Sequence, residues 1–155
     1  MMRLKSLIPA ALALVANPAQ ARPCPWKQAD AIQVERSVKA MYDALKTDDR
    51  HAFDRSVTPD FLAFELGRRW SAAELFTTIF DAHKSGRTIS WTIGPMVVRG
   101  DCNSAWAAWD NVGSSGIPPA LMPRHWMESA VLRRTLTGWR VEFLHSTSLA
   151  VPAAQ

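Results

Sequence analysis

Long hydrophobic runs and clusters of one charge are both scarce in this 155-residue chain. The longest apolar run, residues 7–16, is shorter than the roughly 20 residues that a membrane-spanning helix needs, and Pro9 and Pro18 break it up. Basic residues cluster no further than the pairs Arg68-Arg69 and Arg133-Arg134. The first absence excludes a stable membrane anchor. The second excludes a nucleic-acid-binding footprint and a polybasic membrane-binding surface.

Motifs for catalysis and for metal binding are absent as well. The four histidines lack a metal-ligand spacing such as H-E-x-x-H, and residues 113–116 lack the glycine spacing of a nucleophile elbow. The chain also has no phosphate-binding glycine loop. We therefore expect no metal site and no cofactor.

The N-terminus has the composition of a secretory signal peptide. Arg3 and Lys5 precede the apolar run, and Ala19-Gln20-Ala21 forms an A-x-A cleavage site. We expect cleavage after Ala21 and a periplasmic or secreted mature protein. An N-terminal arm would then occupy residues 22–27 and a single domain residues 28–150.

The two cysteines, Cys24 and Cys102, both fall in the mature part of the chain. In an oxidising compartment they can form one disulfide bridge. Such a bridge would tie the N-terminal arm to a turn and stabilise the fold by about 2–4 kcal/mol. Two unpaired thiols are the alternative, because the sequence does not give the distance between them.

Hydrophobic periodicity divides the domain into a helical half and an extended half. Apolar residues recur at spacings of three and four from residue 28 to residue 47, which predicts an amphipathic helix. A short helix near residues 50–57 and a strand at residues 61–66 follow. Ser71 and Glu74 form a capping box that begins a third helix, which ends at Gly86.

After Gly86 the hydrophobic period changes to two. Four extended segments are predicted, separated by turn residues and by a loop at residues 113–123; they span residues 88–98, 104–112, 124–136 and 139–148. Helices followed by a meandering antiparallel sheet predict an α+β fold. The three helices should cover one face of the sheet, because helices and sheet each carry an apolar side.

The last hairpin places two chemically active side chains together. If Thr137-Gly138 is a two-residue turn, His145 lies opposite Ala130 and diagonally from Glu128 on the same face. This face would carry Trp126 and Leu132 beside Phe143 and Thr147, and it is the more apolar one. A shift of register by one residue would separate these groups.

The pattern resembles a known superfamily. The segments Trp126–Arg134, Gly138–Val141 and Leu144–Thr147, together with the order of helices and strands over residues 28–148, are similar to the nuclear-transport-factor-like cone superfamily and to its uncharacterised exported branch. The superfamily, which has the cystatin-like fold, includes ketosteroid isomerases, scytalone dehydratase and SnoaL-like polyketide cyclases. The resemblance implies a cone-shaped α+β barrel in which a curved mixed or antiparallel sheet wraps around three helices.

The resemblance also implies a largely apolar conical pocket and a homodimer that pairs through the outer sheet face. Ketosteroid isomerases use a tyrosine and an acid as oxyanion donors and an aspartate as base. The only tyrosine of this chain is Tyr42, and the sequence gives no match for that trio. The histidine and aspartate arrangement of scytalone dehydratase is equally unmatched.

Glu128 and His145 are the candidate catalytic residues, as an acid–base pair in an apolar environment. A purely structural pair that positions the strands is the alternative. We expect further ligand contacts from six residues: Tyr42, Glu65, Trp126, Phe143, Arg134 and Thr147. Each has an ordinary alternative: Tyr42 can pack in the core, Arg134 can be solvated, and Glu65 can face outward.

Three functions are consistent with these residues. The first is an exported domain whose conical pocket binds a small hydrophobic or aromatic organic molecule. The second is a cofactor-independent isomerase, dehydratase or cyclase that uses Glu128 and His145 as acid and base, with Tyr42 assisting. The third is a dimerisation module whose cone is filled by its own side chains. A cavity of about 300 Å³ or more would distinguish the first two from the third.

Overall fold

The structure, a computed structural model, describes residues 26–149. The predicted signal peptide, Cys24 and residue 150 lie outside the described residues. Three helices and seven strands follow one another in this part of the chain, with these bounds: α1 (Gln28–Lys46), α2 (Arg50–Ser56), β1 (Val57–Glu65), β2 (Arg68–Ser71), α3 (Ala72–Lys84), β3 (Thr88–Ile93), β4 (Val97–Gly100), β5 (Ser104–Ile117), β6 (Ala120–Thr135) and β7 (Gly138–Leu149).

The predicted helical half is confirmed. In α1 the apolar positions that recur at spacings of three and four are buried, and Val34, Val38 and Met41 are completely inaccessible. The capping box at the start of α3 is present: Ser71 N donates to Glu74 Oε2 at 2.8 Å, and Glu74 N donates to Ser71 Oγ at 3.3 Å. Local sequence signals therefore determine where α3 begins and which face of α1 is buried.

The sheet is curved and has the strand order β2-β1-β7-β6-β5-β3, with β4 paired to the other end of β5. Only the β1–β7 pairing is parallel, so the sheet is mixed. It is not closed into a barrel, and the three helices pack on one face of it. The predicted α+β class is confirmed, and the predicted barrel becomes an open curved sheet.

Phe53 of α2 is central to the contact between helices and sheet. Its side chain is completely buried, and its ring lies 6.2 Å from that of Phe61 in β1 and 5.5 Å from that of Phe76 in α3. Because β1 ends at Glu65, this aromatic cluster supports the strand that carries a candidate site residue.

The predicted loop at residues 113–123 is wrong. Strand β5 continues to Ile117 and β6 begins at Ala120. The glycines of this stretch serve close packing of strands rather than a loop: a Cβ on Gly113 would lie 1.8 Å from the backbone oxygen of Ser90 in β3. Glycine and proline locally favour a turn in this segment. Pairing of β5 with both of its neighbours, β3 and β6, nevertheless keeps the segment extended.

The predicted register of the last hairpin is also wrong. The two-residue turn is Leu136-Thr137, since Thr135 pairs with Gly138. Further along, β7 contains one extra residue, Glu142, so that Leu132 pairs with Val141 but Val131 pairs with Phe143. As a result Ala130 lies opposite Leu144.

This register separates the proposed acid–base pair. His145 lies opposite Ser129 on the outer face of the sheet and is exposed, whereas Glu128 is buried on the inner face with 6% of its surface exposed. Phe143 and Thr147 share the outer face with His145 because side chains alternate along the strand. The prediction that Glu128 and His145 act together is therefore wrong.

Candidate functional site

A cavity of about 380 Å³ lies between the helices and the inner face of the sheet. Its volume is in the range of small-molecule sites, and this excludes a cone filled by its own side chains. Aromatic and aliphatic side chains form most of the wall; they include Leu45, Trp70, Leu75, Ile79, Trp91, Trp126 and Leu144. Polar and charged side chains interrupt this apolar wall, as expected of a site that takes a largely apolar ligand and orients it through a few polar groups.

Glu128 provides the innermost charge of this cavity. Trp109, directly opposite on β5, donates its indole Nε1–H to Glu128 Oε2 at 2.7 Å. Asn111, two residues further along β5, donates its Nδ2–H to the same oxygen at 2.8 Å. These two neutral donors hold the carboxylate in place and partly compensate its charge. Burial still raises the pKa of Glu128, against the lowering effect of these donors and of Tyr42.

Tyr42 of α1 lines the same cavity and lies beside Glu128. Its ring packs edge-on against Trp91 at 5.6 Å and against Trp109 at 6.3 Å. Burial, and after it the charge of Glu128, raises the pKa of Tyr42 well above the usual value. The phenol therefore keeps its proton at any physiological pH and can donate a hydrogen bond to a ligand.

Glu65, the last residue of β1, is the second carboxyl group of the cavity. Burial, and after it the charge of Glu128, raises its pKa from 4.5 to about 7. Within residues 26–149 no side chain donates a hydrogen bond to this carboxyl group. Near neutral pH it is therefore divided between acid and base forms, which suits a group that accepts and returns a proton.

The structure thus brings Tyr42, Glu65, Trp126 and Glu128 of the predicted residues to one cavity. It also corrects the sequence analysis on one point. A tyrosine and two acids converge, one residue each from α1, β1 and β6, whereas the sequence analysis paired Glu128 with His145.

The other predicted ligand contacts lie elsewhere. Phe143 packs on Phe64 with ring centres 5.1 Å apart, and Thr147 and His145 line a neighbouring groove. Arg134 lies over the ring of Trp139 at 4.5 Å, forms an ion pair with Asp30, and donates from Nε to the Cys102 carbonyl at 2.7 Å. Phe143, Thr147 and Arg134 therefore lie outside this cavity, the first two because of the extra residue in β7.

Cys102 is disulfide-bonded. Cys24, its predicted partner, lies outside the described residues, so the pairing itself stays a prediction. In residues 26–149 no group of three or more histidine, cysteine, aspartate or glutamate side chains could hold a metal ion. No helix of the described part has both the length and the hydropathy to cross a membrane.

Trp109 and Asn111, which hold the Glu128 carboxylate, are not among the site residues predicted from the sequence. The available signal was alternation: Asn111 occupies an inward position of β5, in step with Ala105, Ala107 and Trp109, where an amide must find a partner. Arg87 and Arg124 were missed too. They also line the cavity.

The fold and the cavity permit comparison with known proteins. Neither a protein-family profile nor the sequence of a curated protein matches this chain. Solved structures do. A ketosteroid isomerase-like protein from Erwinia carotovora atroseptica matches with a TM-score of 0.65 and 17% identity, over 81% of this chain and 100% of that one.

Two further structures match over a similar extent. An NTF2-like protein with a cystatin-like fold from Novosphingobium aromaticivorans has a TM-score of 0.67 and 17% identity, over 81% of this chain and 85% of that one. The chain has the NTF2-like fold. The CaMKII hub of S. rosetta shares the fold, with a TM-score of 0.66 and 18% identity over 81% and 99% of the two chains. The structural similarity establishes the NTF2-like fold. At these low sequence identities the reaction has to be inferred from the site residues.

Proposed function

We propose that this NTF2-like domain is a cofactor-independent isomerase that moves a proton next to the carbonyl group of a small, largely apolar molecule. The observation that carries the proposal is the convergence of Tyr42, Glu65 and Glu128 on one apolar cavity of about 380 Å³. Binding of such a molecule without turnover is the second candidate, because the same walls would support it.

Tyr42 is the group that would hold the carbonyl oxygen. Its hydroxyl keeps its proton, since burial raises its pKa, and it lies in a cavity with largely aromatic and aliphatic walls. As a proton leaves the neighbouring carbon, negative charge develops on the carbonyl oxygen. A hydrogen bond in a low-dielectric site strengthens with that charge and so lowers the barrier.

Glu65 is the group that would move the proton. Its carboxylate takes the proton from the carbon next to the carbonyl, and the electrons of the broken C–H bond form a C=C bond as the carbonyl becomes an enolate. The ligand therefore carries a C=C bond next to the carbon that loses the proton, so that the enolate is conjugated with it. Glu65 returns the same proton to the far carbon of that C=C bond, whose electrons form the new C–H bond. Atoms and charge balance without an oxidant or a reductant, and a pKa of about 7 suits both halves of the step.

Glu128 acts through Glu65 as a positioning residue. Trp109 and Asn111 fix its carboxylate, and its charge is one of the two causes of the raised pKa of Glu65. Tyr42 is also a hydrogen-bond partner of Glu128, and because Trp109 and Asn111 continue to hold that carboxylate, the Tyr42 hydroxyl would turn to the carbonyl oxygen of a ligand when one binds. Support for this reading comes also from the likeness of the fold to a ketosteroid isomerase-like protein.

The pH dependence of proton exchange tests the proposal. The probe is 6-acetyl-2-naphthoate in D₂O, and the loss of its acetyl methyl signal is followed by proton NMR at saturating protein. We expect the rate to rise with pH, with a midpoint near pH 7, because Glu65 is the base and is ionised above its pKa. In Glu128→Gln the midpoint should move to lower pH, since one cause of the raised pKa is removed.

The outcomes of this experiment separate the two candidates. Saturable binding of the probe without any exchange above the rate in buffer would support the binding domain and reject the isomerase. A midpoint near pH 4.5 that is the same in Glu128→Gln would show that Glu65 is not the base.

We further propose that the protein acts after export as a homodimer. The N-terminal sequence supports export, and the outer sheet face exposes three large apolar side chains, Trp106, Val112 and Met127, that a second copy could cover. Native mass spectrometry of the protein from its own compartment should give twice the mass of a chain that begins at Arg22 and carries one disulfide. A monomeric mass would contradict the homodimer, and an uncleaved N-terminus would contradict export.

A further inference from the structure

Arg87 and Arg124 line the same cavity as the two carboxyl groups. The other end of the cavity is acidic, yet neither arginine forms an ion pair with any acid of residues 26–149. Arg87 precedes β3 and Arg124 lies in β6, and both are exposed. Two arginines without an acidic partner therefore border one end of the cavity, and the acids of the cavity lie at its other end.

Strand pairing brings the two arginines to one corner. Arg124 donates from Nε to Ser115 Oγ at 2.9 Å, so its side chain runs along β5. Ser115 in turn pairs with Ile89 of β3, two residues beyond Arg87. Arg124 faces inward with Trp126 and Glu128, since alternate residues of a strand face the same side. Arg87, directly before β3, lines the cavity beside Ile89 and Trp91.

The corner lies far from the carboxyl groups. Four residues of β6 separate Arg124 from Glu128, which corresponds to about 13 Å along the strand. Trp126 lies between them and presents an uncharged aromatic surface to the cavity. The cavity therefore has hydrogen-bonding and acidic groups at one end, an apolar middle, and two guanidinium groups at the other end.

We propose that Arg87 and Arg124 bind a carboxylate of the ligand, so that the molecule taken by the proposed isomerase is an apolar oxo acid. This inference rests on the proposed function for the position of the carbonyl group beside Tyr42. The acid group lies at the opposite end of the molecule, about 10–13 Å away, a span set by the separation of Arg124 from Glu128 along β6.

The charge distribution also fixes the direction of binding. Guanidinium groups pair with carboxylates through two parallel hydrogen bonds, whereas a ligand ammonium group would be repelled at this corner. At the other end, Glu65 and Glu128 would repel the carboxylate of a ligand bound the wrong way round. Only one orientation places the acid beside arginine and the carbonyl beside Tyr42.

A matched pair of probes tests the inference. Isothermal titration calorimetry at low salt compares 6-acetyl-2-naphthoate with 6-acetyl-2-naphthamide, which has nearly the same shape and no charge. We expect the acid to bind about tenfold or more tightly than the amide. Arg87→Gln and Arg124→Gln should each weaken binding of the acid about fivefold to tenfold and leave binding of the amide within twofold.

The control is Arg36→Gln, which removes an exposed arginine of α1 outside the cavity and changes the net charge by the same amount. This variant should leave both affinities unchanged. Equal affinities for acid and amide, or a loss in Arg36→Gln as large as in the other two, would overturn the inference. The proposed function would survive that result if the amide still exchanged its acetyl protons. Failure of both probes to bind would overturn both proposals.

Discussion

Replacement of Glu65 by glutamine is expected to slow exchange of the acetyl protons of 6-acetyl-2-naphthoate by a factor of about 10² to 10⁴. Glutamine keeps the size and the polarity of the side chain but cannot accept a proton from carbon. Affinity for the probe, measured by calorimetry, should change less than threefold, because Glu65 takes part in the chemical step and not in holding the ligand.

The same substitution should make the protein more stable at pH 8. The folded-state pKa of Glu65 is raised, so its ionisation opposes folding, and the penalty is fully present above pH 7 and disappears as the pH falls towards 4.5. We expect Glu65→Gln to gain about 2–3 kcal/mol of unfolding free energy at pH 8 and much less at pH 5.

Glu35→Gln is the matched control for both measurements. Glu35 lies on α1, with its side chain 37% exposed and paired with Lys39 at 3.9 Å, and so its loss should cost less than about 0.5 kcal/mol and leave exchange unchanged. Exchange in Glu65→Gln within tenfold of the wild-type rate would remove Glu65 from the mechanism. An equal stability change at both pH values would show that its ionisation does not oppose folding.

Replacement of Phe53 by alanine is expected to lower the free energy of unfolding by about 3–5 kcal/mol. The side chain is completely buried, and the rings of Phe61 and Phe76 that surround it cannot close the space it would leave. Urea denaturation at pH 6, with the disulfide intact, measures the change.

Phe80 provides the comparison for this substitution. Its ring stacks on Phe76 at 6.3 Å but is 37% exposed, so Phe80→Ala should cost about 1 kcal/mol or less. If Phe53→Ala cost no more than Phe80→Ala, the aromatic cluster between α2, β1 and α3 would not be the part of the core that carries most stability.

The sequence predicted those parts of the fold that depend on neighbours in the chain. The 3.6-residue period of α1 and the capping box of α3 are local signals, and both helices lie where they were predicted. The loop prediction at residues 113–123 failed because pairing with distant strands overrides local glycine and proline preferences. Such pairing cannot be read from one segment.

The candidate site was predicted residue by residue but not as a group. The sequence predicts Tyr42, Glu65, Trp126 and Glu128 as pocket residues, but it pairs Glu128 with His145, assisted by Tyr42, and leaves Glu65 out of that pair. Nothing in the local sequence marks Glu142 as an unpaired residue of β7. A register shift of one residue decides which side chains of the strand face the cavity. Proximity between α1, β1 and β6 is a property of the assembled fold alone.

Because Glu142 is unpaired in β7, insertion or deletion of one residue near it changes which side chains line the cavity, an effect that a substitution does not have. Because it sits unpaired in β7, Leu144, Ser146 and Ser148 alternate inward and His145 outward. Deleting one residue beyond this point would invert that alternation, placing an imidazole where Leu144 now lies, while both ends of the hairpin stayed paired. A single codon lost or gained in this strand would thus exchange an aliphatic side chain of the cavity wall for an imidazole, in a cavity that already holds the carboxyl groups of Glu65 and Glu128.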